Sequence, residues 1–289
     1  MNESGSMSLR ARINNFAKEK GIAPQLALQS FFAERFLARL EKSPYANNVV
    51  VKGGTLVSAI LGVAQRTTLD LDTTVVGMHV DERAAVAIVE AIAATDAGDG
   101  IVFSRDGSAP SGIVKDDGYG GWTIGLVASF GSIRLPIGVD VTFGDVITPC
   151  AAERTFGSIL DGSVSIRVLA YTVETLMAEK LQTVLKRGVA MTRPRDFYDL
   201  HMLRLRGEFD AETLATAVRE TFANRNSAEY LEKGRETLSS ISESEFQRRQ
   251  WLRYQKKAPY AAAVSFDDAM ASLAVLLELV DSRPASPGG

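Results

Sequence analysis

One cysteine and two histidines among 289 residues leave this chain poor in soft metal ligands. Cys150 has no partner for an internal disulfide, and with His79 and His201 it is too scattered to make a zinc site. A bound metal must then be held by oxygen, which favours Mg²⁺, with Mn²⁺ as the alternative, over zinc or copper. Long apolar runs are missing as well. No window approaches the ~18 consecutive apolar residues of a membrane span, so no membrane partner is expected. The first seven residues are polar and the next stretch is charged, without the apolar centre of a secretory signal; the expected location is cytoplasmic. Excess basic charge is also lacking. A net charge of −3 and a pI near 5.6 exclude a protein that coats nucleic acid through a broad positive field, though not one with a local basic groove. What is present is an ordinary globular composition, 46% hydrophobic and 23% charged with a mean hydropathy of +0.02, enough for one or two folded domains.

Hydrophobic periodicity divides the chain into two halves. Residues 8–20 and 24–42 read as an antiparallel helix pair, the second with Pro24 in its first turn. A short strand at 49–51, a Gly53-Gly54 turn, a helix over 55–61 and a strand containing Asp70 and Asp72 follow. Asp81 caps a helix to about residue 95. Between 101 and 143 the signals are those of strands, at 101–103, 122–127 and 133–141, with a hairpin turn at 129–132 and an irregular glycine-rich connection over 106–121. A further strand spans 164–169. Beyond 173 helices dominate, at 176–186, 195–204, 210–223, 227–238 and 266–280, before a tail at 283–289 expected to be disordered. The expected organisation is residues 1–150, N-terminal helices and an α/β core, and residues 151–289, a mainly helical lobe.

Two motifs in the first half carry chemistry. In Lys52-Gly53-Gly54-Thr55 a tight glycine turn opens a helix, a place where backbone N–H groups can meet an anion. In Leu69-Asp70-Leu71-Asp72 the two carboxylates are two apart in a β-prone run, so on a strand they project from one face and attract a divalent cation. Phosphoryl and nucleotidyl transfer use such cations, a pair ~3.5–4 Å apart clamping the attacking and leaving oxygens. A third carboxylate on a neighbouring strand would complete the set. Asp140, between Val139 and Val141, is placed for it; its other reading is an ion pair with Arg66 or Arg134. Thr55 is a candidate cap. Lys52, Thr67 and Thr68 read either as surface residues or, for Thr68, as a hydroxyl for a phosphate oxygen.

A second cluster lies more than a hundred residues on. Lys180, within Ala178-Glu179-Lys180-Leu181, is by default a surface lysine with Glu179 as its solvated neighbour. Asp196 and Asp199, in Arg193-Pro194-Arg195-Asp196-Phe197-Tyr198-Asp199-Leu200, share a helix face. Acids in a first turn complement the helix dipole, and Arg195 can pair with Asp199; the other reading is a buried Lys180–Asp199 pair that binds phosphate and orients the acceptor. Residues 247–257 hold five basic side chains, none acidic, and two aromatics. They read equally as a solvated helix face with Trp251 in the core or as an RNA contact.

The four motifs, Lys52–Thr55, Arg66–Asp72, Ala178–Lys180 and Arg193–Leu200, resemble in order and spacing the AbiEii/AbiGii abortive-infection toxins, nucleotidyltransferase-like toxins of bacterial toxin–antitoxin systems, and within them the MenT-type members. Glu34-Arg35-Phe36-Leu37 is similar too, so the resemblance covers about residues 8–205. It implies a polymerase-β-like nucleotidyltransferase core with a mixed sheet, α/β in class, and a C-terminal helical lobe. It implies Mg²⁺, a nucleoside triphosphate, transfer of a nucleotide to the 3′ end of tRNA with a block of translation, and a cognate antitoxin as partner. Carried over by motif position, Asp70 and Asp72 are metal ligands, Lys180 the triphosphate lysine, and Asp199 or Asp196 the acid of the second lobe. Gly53 and Gly54 form the phosphate turn, with Thr55, Arg66 and Thr68 as further nucleotide-binding candidates. Modification of protein by the same site, as a kinase or a nucleotidylating enzyme, and GTP or RNA binding without turnover are the alternatives.

Overall fold

The structure is a computed structural model and describes residues 3–66, 70–114, 120–162 and 164–282. Thr67, Thr68, Leu69 and the tail 283–289 lie outside the described residues, as do 115–119 within the glycine-rich connection. By its contacts the chain separates into two compact units, Met1–Gly144 with Ala152–Ala170, and Asp145–Ala151 with Tyr171–Gly289. The divide is therefore not a single cut at 150: residues 152–170 belong with the first unit, and 145–151 with the second.

In the first unit α1 (Glu3–Lys20) and α2 (Pro24–Lys42) pack together. Leu9, Ile13 and Ala17 recur every four residues and are buried, as are Phe32, Phe36 and Leu40 on the second helix. Then come β1 (Val49–Val51), α3 (Gly53–Leu61), β2 (Leu71–Val75), α4 (Glu82–Ala94), β3 (Val102–Arg105), β4 (Ser111–Val114), β5 (Gly120–Phe130), β6 (Ile133–Phe143), β7 (Ala152–Gly157) and β8 (Ser165–Ala170). The strands form one mixed sheet of eight in the order β3-β5-β6-β2-β1-β8-β7, with β4 beside β5. The pairs β2–β6 and β1–β8 are parallel and the rest antiparallel. Asp81 caps α4 as expected, accepting from the Ala84 N–H at 2.8 Å. The expected hairpin is also present, closing over residues 131–132 between β5 and β6. Buried Arg39 anchors α2 by two bonds to Asp99, of 2.9 and 2.7 Å, and one of 2.5 Å to the Ile101 carbonyl.

The second unit is helical: α5 (Val173–Arg187), α6 (Arg195–Arg206), α7 (Ala211–Asn224), α8 (Ala228–Glu232), α9 (Gly234–Glu243), α10 (Glu245–Lys257) and α11 (Phe266–Asp281). Thr172 caps α5, Asp210 caps α7, and Ser265 with Asp268 forms a capping box on α11. Asp145 and Thr148 join this unit through side chains: Asp145 pairs with Arg225, and Thr148 bonds to Thr175 and Glu220. The expected class, α/β with a mixed sheet and a helical C-terminal part, is the class observed. Three local expectations are corrected. The connection 106–121 contains β4, β7 is a strand that no alternation announced, and 227–238 is not one helix but α8 and α9, broken at Lys233. Among the described residues no helix is long and apolar enough to cross a membrane.

Candidate active site

In the first unit β2 and β6 run parallel with Asp72 directly opposite Asp140. Leu71, Val139 and Val141 are buried on one face of the sheet, so alternation sends Asp72 and Asp140 to the other. Asp70 is not on the strand, as expected, but in a bend just before it, exposed to solvent. Its carboxylate nevertheless reaches the same face: a Cβ placed on Gly138, two residues before Asp140, would lie 3.0 Å from Asp70 Oδ1.

The glycine turn meets a carboxylate of the chain itself. Gly53 has φ +55°, and a Cβ there would stand 2.5–2.7 Å from the Asp72 carboxylate, closer than a side chain can approach. The next residue, Gly54, donates its N–H to Asp72 Oδ2 at 2.7 Å. The positive end of α3 thus already holds a carboxylate of the protein itself. Thr55 is not a cap: its buried hydroxyl donates to the Asp70 carbonyl at 3.0 Å and accepts from the Asp72 N–H at 3.3 Å. It fixes the acidic segment against α3.

Asp140 Oδ1 accepts a 2.6 Å hydrogen bond from Thr123 on β5, whose register partner it is. Burial raises the Asp140 carboxyl above its ordinary value; the Thr123 bond opposes this, while the charges of Asp72 and Asp70 push it further up and that of Lys52 pulls it down. The cation acting on Asp140 is therefore Lys52, buried rather than on the surface, and Arg134 is exposed. Arg66 is buried, with its carbonyl accepting from the Ser58 hydroxyl at 2.7 Å. Thr68 lies outside the described residues. Lys52 and Thr123 were not legible as site residues; the only signals were adjacency to the glycine pair and a position opposite Asp140 on the next strand.

Asp140 feels the charges of Asp72 and Asp70, and all three are oxygen donors of the kind that Mg²⁺ takes. Among the described residues, no three such side chains are drawn together as a finished ligand shell. Asp72 and Asp140 are each turned to a donor of their own, Gly54 and Thr123. By charge and donor chemistry the patch fits a hard dication.

The second unit holds the other candidates. Lys180 on α5 is buried, not a surface lysine, and its Nζ lies 2.9 Å from Asp196 and 2.7 Å from Asp199 on α6, both fully buried. Arg193 adds a contact of 3.0 Å to Asp196. Burial raises the Asp196 carboxyl, but Lys180 and Arg193 outweigh it and hold it below its ordinary value. Glu179 is likewise no solvated neighbour, since Arg225 approaches it at 2.5 Å and also reaches Asp145. Trp251 is in the core, its indole N–H donating to the Val264 carbonyl at 3.1 Å.

The first unit is thus a mixed α/β sheet with carboxylates paired across parallel strands beside a glycine turn. Residues 35–272 match the family described as nucleotidyl transferase AbiEii toxin of Type IV toxin–antitoxin systems, and the chain belongs to that family. A comparison with curated proteins gave no match. Among solved structures the chain is similar to a protein described as a nucleotidyltransferase from H. pylori (15% identity, TM-score 0.48, 90% of this chain and 96% of the other). It is similar also to JHP933 from Helicobacter pylori (14%, TM-score 0.47, 88% and 91%). An antigenic nucleotidyltransferase-like protein from Paracoccidioides brasiliensis overlaps more loosely (14%, TM-score 0.35, 86% and 92%). Membership rests on the family match, not on these overlaps.

Proposed function

We propose that the chain transfers a nucleotide from a nucleoside triphosphate to the 3′ end of tRNA, blocking translation, and that a cognate antitoxin restrains it. The observation that carries the reading is the Asp70/Asp72/Asp140 patch, with Asp72 opposite Asp140 on parallel strands and Asp70 beside Gly138, where burial first and then the charges of Asp72 and Asp70 raise Asp140. Carboxylates that share one patch are costly to ionise together, and a bound dication offsets that cost. Asp70, Asp72 and Asp140 would hold Mg²⁺, which when bound neutralises triphosphate charge and lowers the pKa of a coordinated hydroxyl. The protein's own contribution is orientation. Gly54 N–H fixes Asp72, the Thr123 hydroxyl fixes Asp140, and Thr55 fixes the backbone that carries Asp70. Lys180, held between Asp196 and Asp199, is the candidate phosphate-binding cation of the helical unit, and Asp199 the candidate acid for the acceptor.

The test is incubation of the protein with tRNA, Mg²⁺ and each labelled nucleoside triphosphate in turn. Label at the tRNA 3′ end is expected. Label on protein instead would point to the kinase or protein-nucleotidylating alternative, and nucleotide binding without pyrophosphate release would point to a module without turnover.

A further inference from the structure

The outer face of α10 belongs to no part of the site described. The helix carries Arg248, Arg249, Arg253, Lys256 and Lys257 against one acid, Glu245, in a chain whose net charge is −3. Its inner side is spoken for: Gln247 donates to the Val189 and Met191 carbonyls, and Trp251 is buried. Arg248 turns aside to pair with Asp267 at 2.8 Å and lie over the Phe266 ring. The other four are exposed. Arg249 reaches Glu245 only at 3.4 Å with its side chain 62% exposed, and Lys256 and Lys257 have no carboxylate partner among the described residues.

These four recur at helical spacing, 249, 253, 256 and 257, so they form one stripe. Its length is about 12 Å at ~1.5 Å per residue, enough to face more than one successive phosphate of a strand. Leu252, 58% exposed, stands within it. At its end sits half-buried Tyr260, with ring centroid 5.2 Å from Tyr198 of α6 and 6.3 Å from Tyr254. Tyr198 lies in the same turn as Asp196 and Asp199, so the basic stripe and the Lys180 cluster are linked by tilted and edge-on ring contacts within one unit.

We infer that this face of α10 is an RNA-docking surface: Arg249, Arg253, Lys256 and Lys257 contact backbone phosphates, and Tyr260 offers an aromatic edge to a ribose or base. Charge complementarity selects the occupant, since four cations in line match a polyanion of regular spacing better than an acidic peptide of irregular one. The inference takes RNA as the acceptor from the reading above and adds where it is gripped.

The experiment measures affinity of the full chain for tRNA as salt is raised from about 50 to about 200 mM. It compares wild type, the quadruple variant Arg249→Gln/Arg253→Gln/Lys256→Gln/Lys257→Gln, and a charge-matched control, Arg10→Gln/Lys18→Gln/Lys20→Gln/Lys42→Gln, at exposed positions of α1 and α2. The α10 variant is expected to bind at least about tenfold more weakly at the lower salt and to lose about 3 from the slope of log affinity against log salt. The control should keep most of both. Equal losses in the two variants, an unchanged α10 variant, or no wild-type RNA binding would overturn the inference. So would loss of binding by the α10 variant to anionic vesicles or to the antitoxin with RNA affinity intact. Failure here is separable from failure of the proposed function. Wild-type label transfer to tRNA with unaltered α10-variant affinity overturns only the surface, whereas weakened RNA binding without any label transfer overturns only the activity.

Discussion

Gly53 adopts φ +55° with the Asp72 carboxylate where its Cβ would be, so Gly53→Ala meets both backbone strain and a collision. The expected cost is ~1–3 kcal/mol, read as a lower urea midpoint, with nucleotidyl transfer lost because Asp72 is displaced; an unchanged midpoint and activity would show the turn to be incidental. Lys180 is the opposite case, a buried cation between two buried acids. Lys180→Met removes the cation that both buried acids contact, leaving Arg193 beside Asp196, and should cost ~3–5 kcal/mol; the same urea titration checks it. Acid weakens the same helix in two windows. His201, bonded to Ser272 at 2.7 Å, is held below its ordinary value by burial. Protons therefore favour the unfolded chain, and stability falls as pH drops below about 6.5. Asp196 is net lowered, so its contribution is present above about 3.8 and lost only as pH falls through its folded value. Urea midpoints measured across this range should show the two steps, and His201→Gln should remove the first.

At the scale of elements, the site depends on the register of two parallel strands. A slip of one residue between β2 and β6 would carry every side chain of one strand to the other face and separate Asp72 from Asp140. Thr123 on β5 extends the register by one strand. Thr123→Val removes the donor and is expected to lower transfer ~10–100-fold with little change in fold; full activity would release Thr123 from that role. Much of this level was legible. The alternation of Ile133 to Val141 and the apolar spacing of α4 announced their elements, because a half-buried surface imposes a period. β4 and β7 were not, and for a physical reason. β4 is four residues with a glycine, and β7 exposes Ala152, Glu153, Thr155 and Gly157 while burying only Phe156. An edge strand with one buried residue leaves no alternation to read. Likewise the break between α8 and α9 follows from close packing of Gly234 against Leu185 and Leu277, a contact no local pattern encodes. The placing of Asp72 and Asp140 on one sheet face was legible from their apolar neighbours, and a buried Lys180–Asp199 pair was one of two readings; the burial of Lys52 was not legible, since a lysine's sequence surroundings do not reveal whether a carboxylate waits for it.

For the whole molecule, the chain passes between its two units at 144–145, 151–152 and 170–171. Each unit is therefore assembled from discontinuous sequence. A fragment of residues 151–289 would carry β7 and β8 without their sheet and lack Asp145 and Thr148, which bond to Arg225, Thr175 and Glu220. Such a fragment should unfold without a cooperative transition in a thermal melt, and a sharp one would show that the helical unit needs neither segment. Nucleotidyl transfer to RNA by the carboxylates on the sheet is the activity proposed for the whole molecule. Its most direct measurement is a single-turnover assay with α-phosphate-labelled nucleoside triphosphate, tRNA and Mg²⁺, run on wild type and on Asp72→Asn with folding checked by circular dichroism. The account predicts label at the tRNA 3′ terminus with wild type and none above background with the folded variant; equal labelling by both proteins, or none by wild type, would contradict it.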